Sequence, residues 1–148
     1  MAFPLFRLSA FCAALALAGF SHAGEGGAVF RDNCAACHQA NAGGAPGVAP
    51  PLTGPHWGGL QDPKEHYILQ VLATGLTGKI TVKGELFNGV MPSFAHLEAG
   101  DIAAVANYLL ALNEVVTPVL TATDVQEARA KKMTPAQIRA LRRSLLKE

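Results

Sequence analysis

Apolar side chains recur with the helical period in several stretches of the chain and alternate with polar ones in a single short stretch, so the pattern is that of a mostly helical protein. Phe30, Cys34 and Cys37 fall at i, i+4 and i+7, which predicts a helix over Glu25 to His38 with these three on one face. Gly26, one turn before Phe30, leaves room on that face for a close neighbour. Tyr67, Ile68, Val71 and Leu72 form a second stripe. Asp62 is its N-cap, Pro63 suits the first helical position, Glu65 completes a capping box, and Gly75 and Gly78 end it. The strongest helix runs from Asp101 to Leu112, with Ile102, Val105, Ala106, Leu109 and Leu112 in register and Tyr108 on its shoulder. Its start is poorly capped, since Glu98 or Gly100 stands where Ser or Asp would serve better.

Beyond Pro118 two capping boxes, Thr123-x-x-Gln126 and Thr134-Pro135-x-Gln137, predict short helices over Asp124 to Lys132 and Pro135 to Lys147. The second carries a narrow apolar seam of Ile138, Leu141 and Leu145. Alternation is confined to Lys79 to Phe87, broken by Gly84, and predicts a short hairpin too small to organise a domain. The Asn88-Gly89 turn follows, and then Val90-Met91-Pro92. Residues Asn41 to Leu60 are dense in Gly and Pro and read as an irregular loop. Val48, Leu52 and Trp57 are apolar anchors that a mere linker would not carry, and an unstructured loop of this length is usually functional.

The first residues follow a different rule. Arg7 precedes an apolar run from Leu8 to Gly19, and Ser21-His22-Ala23 makes a small-x-small site. That is the pattern of a secretory signal peptide. The run is shorter than the ~20 residues a spanning helix needs, although an uncleaved membrane anchor is the alternative. The expected organisation is a signal peptide over 1–23, a helical domain over 24–118 and a basic helical extension over 119–148. A length of 148 residues suits one domain. Charge divides along the same boundary. The body carries a formal charge of −4 and the extension +4, an asymmetry that bears on partners. The extension would dock an acidic partner or fold back on the acidic body.

Cys12 leaves with the signal peptide, so the mature chain holds two cysteines, both in Cys34-Ala35-Ala36-Cys37-His38. C-x-x-C-H is the attachment signature of c-type haem. The thiols lie one helical turn apart, in reach of two vinyl groups on one porphyrin edge, and the following imidazole is carried under the ring to the iron. A thioredoxin-like pair would want a βαβ setting, and no strand pattern precedes the motif. A zinc site would need four ligands, and no Cys follows Cys37. With one covalent haem c, His38 is the fifth iron ligand and its Nδ1–H should donate to a backbone carbonyl. The loop over 41–60 is expected to wrap that proximal side. Met91, in a turn between apolar residues and stiffened by Pro92, is the best sixth ligand. The rivals are His56, His66, His96 and Met133. The first three look like ordinary loop or helix-start residues, and Met133, among Lys131 and Lys132, looks surface-exposed or partner-facing.

Gly26 and Phe30 before C-A-A-C-H, Pro50-x-Leu52-x-Gly54, Gly89-Val90-Met91-Pro92, and the last core helix with Val105 and Tyr108 together resemble a class I c-type cytochrome of the small bacterial monohaem kind. The resemblance spans residues 26 to 112 and implies the all-α cytochrome c fold, helices around one covalently bound haem, with the hairpin and the tail added. It implies that the Gly/aromatic face of the first helix packs on the Tyr-bearing face of the last. It also implies that the Pro50 carbonyl accepts the proximal His38 hydrogen bond, that Leu52 packs on the haem, and that Met91 is the distal ligand. Trp57 does not stand at the family's propionate-binding Trp position; its indole N–H would serve a propionate or a loop carbonyl.

With His and Met both on iron no coordination position is open, which favours one-electron transfer over catalysis. The expected protein is a periplasmic carrier or subunit for a dehydrogenase or oxidase chain, not an enzyme. Its expected partners are redox proteins. Nucleic acid is not among them, and membrane contact would come only through a partner complex or an uncleaved signal. The alternative is a haem enzyme or gas sensor with an open sixth position. A structural zinc domain is a third reading.

Overall fold

The computed structural model describes residues 22–61, 67–116 and 118–146. The signal-peptide pattern up to Ser21, the capping box over Asp62 to Glu65, and His66 lie outside these residues. The helices are α1 (His22–Asn33), α2 (Ala35–His38), α3 (Tyr67–Thr74), α4 (Ala99–Leu112), α5 (Ala122–Ala130) and α6 (Pro135–Leu145). A 3₁₀ helix spans Pro55–Gln61. Four short strands pair antiparallel in two ribbons among the described residues: β1 (Leu76–Thr77) with β4 (Val90–Met91), and β2 (Ile80–Val82) with β3 (Glu85–Phe87).

The crossing of α1 on α4 sets the frame. Phe30 is fully buried, and its ring lies 5.5 Å from that of Tyr108, tilted by 43°. The approach is possible because position 26 has no side chain. A Cβ there would stand 2.2 Å from the Ala104 carbonyl oxygen and 2.8 Å from Tyr108 Cβ. The helix expected over Glu25 to His38 is divided at Cys34, where φ is −119° and ψ −32°. The chain nevertheless continues through the break. The Cys34 N–H donates to Phe30 O at 2.8 Å, and Cys34 O accepts from the His38 N–H at 3.0 Å. Gln39, at φ 64°, then turns the chain out of α2.

α3 departs from the amphipathic expectation. Every residue from Tyr67 to Ala73 is buried, Gln70 included, so no side of this helix meets solvent. The cover is the C-terminal extension. Val125, Ala128, Ile138 and Leu141 belong to the same hydrophobic core as Phe30, Leu69 and Ile102. The extension therefore folds back on the body. It packs into the body's hydrophobic core and is not a detachable appendage. Its entry is pinned by Asn107, whose Oδ1 accepts from the Leu120 N–H at 2.9 Å and whose Nδ2 donates to Leu120 O at 2.8 Å.

Three local expectations are also corrected. The α5 cap is Thr121 paired with Asp124, not Thr123 with Gln126, because the aspartate reaches back to the Thr121 N–H at 2.7 Å. The Thr134–Gln137 box caps α6 as expected. Met133 is half-buried against the core, and its N–H donates to Gln70 Oε1 at 3.1 Å. Val48 is 63% exposed and anchors nothing, whereas Trp57 is buried and Leu52 packs against the core.

The close approach of α1 and α4 predicts that Gly26→Ala, overpacking a site with no room, lowers stability by about 1–3 kcal/mol. Denaturant unfolding of the holo-protein should show a lowered midpoint with an unchanged slope.

Candidate functional site

An apolar cavity opens between α2, the loop over 41–60, α3, the two ribbons and α6. At about 220 Å³ it exceeds the ~150 Å³ apolar void that holds a benzene ring, so it has room for a ligand. Cys34, Cys37 and His38 form one part of its wall, and Met91 with Pro92 another. Pro50, Leu52 and Trp57 line it too, so all seven site residues expected from the sequence meet at one cavity. His56 also lines it, while His96 and Met133 do not.

His38 is held by the loop. Its Nδ1 lies 2.9 Å from Pro50 O. A carbonyl only accepts, so Nδ1 carries the hydrogen and Nε2 keeps a free lone pair. Burial holds the imidazole below its ordinary pKa, partly offset by that hydrogen bond, which keeps the ring in the neutral form that metals require. Pro50 is itself positioned by its neighbours. Leu52 N–H donates to Ala42 O at 2.8 Å, and Asn113 at the end of α4 bonds Leu52 O through Nδ2 at 2.8 Å and Gly54 N–H through Oδ1 at 2.9 Å.

The two cysteines differ. Cys37 is exposed. Burial, with Cys37 beside it, pushes the Cys34 thiol up to about 11. No strand precedes the motif among the described residues, so the βαβ setting of a thioredoxin-like pair is not found there. Among the described residues no group of three His, Cys, Asp or Glu side chains is placed to hold a metal ion.

The residue missed in the sequence is Arg142. It is 6% exposed and lines the cavity from α6. Its Nη1 donates to Tyr67 Oη at 3.3 Å and its Nη2 to Thr81 O at 3.4 Å. A signal for it existed: Arg142 is four residues after Ile138, on the buried seam of α6. The Trp57 indole Nε1 is likewise buried and has no hydrogen-bond partner. The two come from abutting segments, for a Cβ on Gly59 would stand 1.7 Å from Leu145 O.

These features fit a haem. The cavity is apolar, the thiols sit on its wall, the imidazole Nε2 is free, and a buried N–H lacks an acceptor. Comparison with known proteins agrees. The cytochrome c family model matches residues 23–113. A cytochrome c-552 of Thermus thermophilus is 41% identical over 138 aligned residues, covering 88% of this chain and 93% of that protein. A second Thermus thermophilus cytochrome c-552 is 42% identical over 126 residues, covering 80% of this chain and 95% of its own length. A match over 88% of 148 residues cannot end by residue 113, so likeness to the first relative extends into the C-terminal helices.

Tyr67→Phe removes an acceptor from a buried guanidinium. It should cost about 1.5–3 kcal/mol, the usual worth of a hydrogen bond to a charged group. Thermal unfolding of the holo-protein measures the loss.

Proposed function

The chain belongs to the cytochrome c family, an electron-carrier haem c protein, and on that basis we propose that it works in the periplasm as the one-electron carrier of a dehydrogenase or oxidase chain. Haem c supplies the Fe(III)/Fe(II) couple. Cys34 and Cys37 anchor the porphyrin through thioethers, His38 Nε2 is the fifth iron ligand, and Met91 is the sixth. The observation that carries this reading is the meeting of His38 and Met91 at one apolar cavity, with the imidazole tautomer set by Pro50 O. A thioether ligand favours Fe(II) and raises the potential relative to a second histidine. Leu52 packs on the ring. The Trp57 indole N–H and the Arg142 guanidinium, on abutting segments, are suited to the propionate carboxylates. No helix among the described residues is long and apolar enough to cross a membrane, and the N-terminal pattern is that of an export signal.

Partners would dock where the cavity meets solvent. Val48 and Val90 line the cavity and are 63% and 78% exposed. The two segments that carry these valines adjoin each other. Gly47 N–H donates to Glu85 Oε1 at 3.0 Å, joining the loop to β3, and Gly89 lies against Val48 O. Docking over these two apolar side chains would depend weakly on salt.

Two measurements test the reading. The reduced wild-type protein should bind CO poorly and the oxidised form should show the charge-transfer band of Met–iron ligation. Met91→Ala should abolish that band and admit CO while the haem stays covalently bound. Ready CO binding and a high-spin wild-type spectrum would instead indicate a haem enzyme or gas sensor. For the docking face, Val90→Asp should slow electron self-exchange between oxidised and reduced protein at least ~10-fold, since like charges facing each other across a contact cost several kcal/mol. The wild-type rate should change little with ionic strength.

A further inference from the structure

The segment that carries Met91 has little structure of its own. β4 is two residues long and meets β1 only through Leu76↔Met91 and Thr77↔Val90. A ladder that short does not hold its position unaided. On one side the end of α3 supports it. Phe94 N–H donates to Leu72 O at 2.8 Å, and Ser93 Oγ donates to Ala73 O at 2.7 Å.

The remaining support comes from the C-terminal extension. Arg129 of α5 donates through Nη2 to Leu97 O at 2.7 Å and Ala95 O at 3.2 Å, just after Met91-Pro92. Arg139 of α6 donates through Nη1 to Thr77 O, the residue paired with Val90. Two arginines from two helices thus hold the backbone that follows Met91 and the strand that pairs with its own. The helices that bear them are themselves fixed. Gln70, buried in α3, donates through Nε2 to Ala128 O at 3.2 Å and Lys131 O at 3.5 Å, and its Oε1 accepts from the Met133 N–H at 3.1 Å. An extension serving only as a cationic docking arm would turn these side chains to solvent, as Lys131, Lys132 and Arg143 are turned.

We propose that the C-terminal extension is a strap that holds the sixth-ligand segment on the haem, with Arg129 and Arg139 as its positioning residues. This rests on the reading of Met91 as the iron ligand. The strap acts on the equilibrium between a closed segment, with the thioether on iron, and an opened one that leaves the position to another ligand. Losing the charge-assisted hydrogen bonds to the segment or to its paired strand shifts that equilibrium toward the opened form.

The test uses the holo-protein. Wild type, R129Q, R139Q, the double variant R129Q/R139Q and the control R143Q, which removes an exposed charge from α6, are heated in the ferric form. The Met–iron charge-transfer band and the far-ultraviolet helix signal are followed together. The strap requires the double variant to lose the band well below the temperature at which helix is lost. It also requires ferrous CO binding at least ~10-fold faster than wild type, the scale of one charge-assisted hydrogen bond. R143Q should behave as wild type. If band and helix disappear together in the double variant and CO binding is unchanged, the extension merely stabilises the fold and the proposal is wrong. If R143Q opens the site equally, net charge and not the strap is responsible. If the double variant does not accumulate as holo-protein, R129Q and R139Q alone are judged by the same separation of signals. A wild-type protein that lacks the band overturns the Met91 reading itself, before any variant is compared.

Discussion

The crossing of α1 on α4 is the contact from which the rest of the molecule takes its position. Because position 26 is a glycine, the two helices touch backbone to backbone, and Phe30 and Tyr108 lock beside the contact. α1 runs directly into Cys34 and His38, so the crossing places the attachment motif. α4 in turn places two other parts. Asn113 at its end holds the loop that presents Pro50 to His38, and Asn107 in its middle holds the entry to the extension. A change at the crossing would therefore be felt at the proximal ligand and in the tail alike, with no contact to either.

The cavity obeys a second constraint. Its walls are apolar and come from segments far apart in sequence, yet few of those segments have much regular structure. Ribbons of two and three residues and a loop rich in Gly and Pro do not hold a shape by themselves. A large apolar group in their midst gives them a common surface to pack against, and a group that binds only the native state stabilises it by mass action. Cofactor and fold are thus mutually dependent here.

Much of this is legible in the sequence, and the reasons differ from residue to residue. Cys34, Cys37 and His38 declare themselves because their chemistry requires fixed local spacing. Met91 stands out through the neighbouring Pro92 and its apolar setting, and Phe30 and Tyr108 through helical period. What escapes is long-range. Gln70 looks like the polar flank of an amphipathic helix until α5 and α6 cover it. Arg142 looks like one more charge in a basic tail until Tyr67 and Thr81 supply its acceptors, 75 and 61 residues away in sequence. Periodicity reports which face of a helix is apolar, but not that a second layer lies over the other face. Val48 misleads in the opposite sense, since an apolar residue in a loop reads as an anchor, yet this one lines the cavity and is exposed.

The covering of α3 by the extension has a consequence for the order of assembly. The attachment motif lies at the end of α1 and in α2, whereas α6, which closes the cavity with Arg142, follows every other described helix. Chains emerge from synthesis N-terminus first. The thiols and the imidazole are therefore presented while the last wall of the pocket is still missing. Until α6 docks, the pocket lacks the wall that Arg142 supplies and would be open to a bulky planar group.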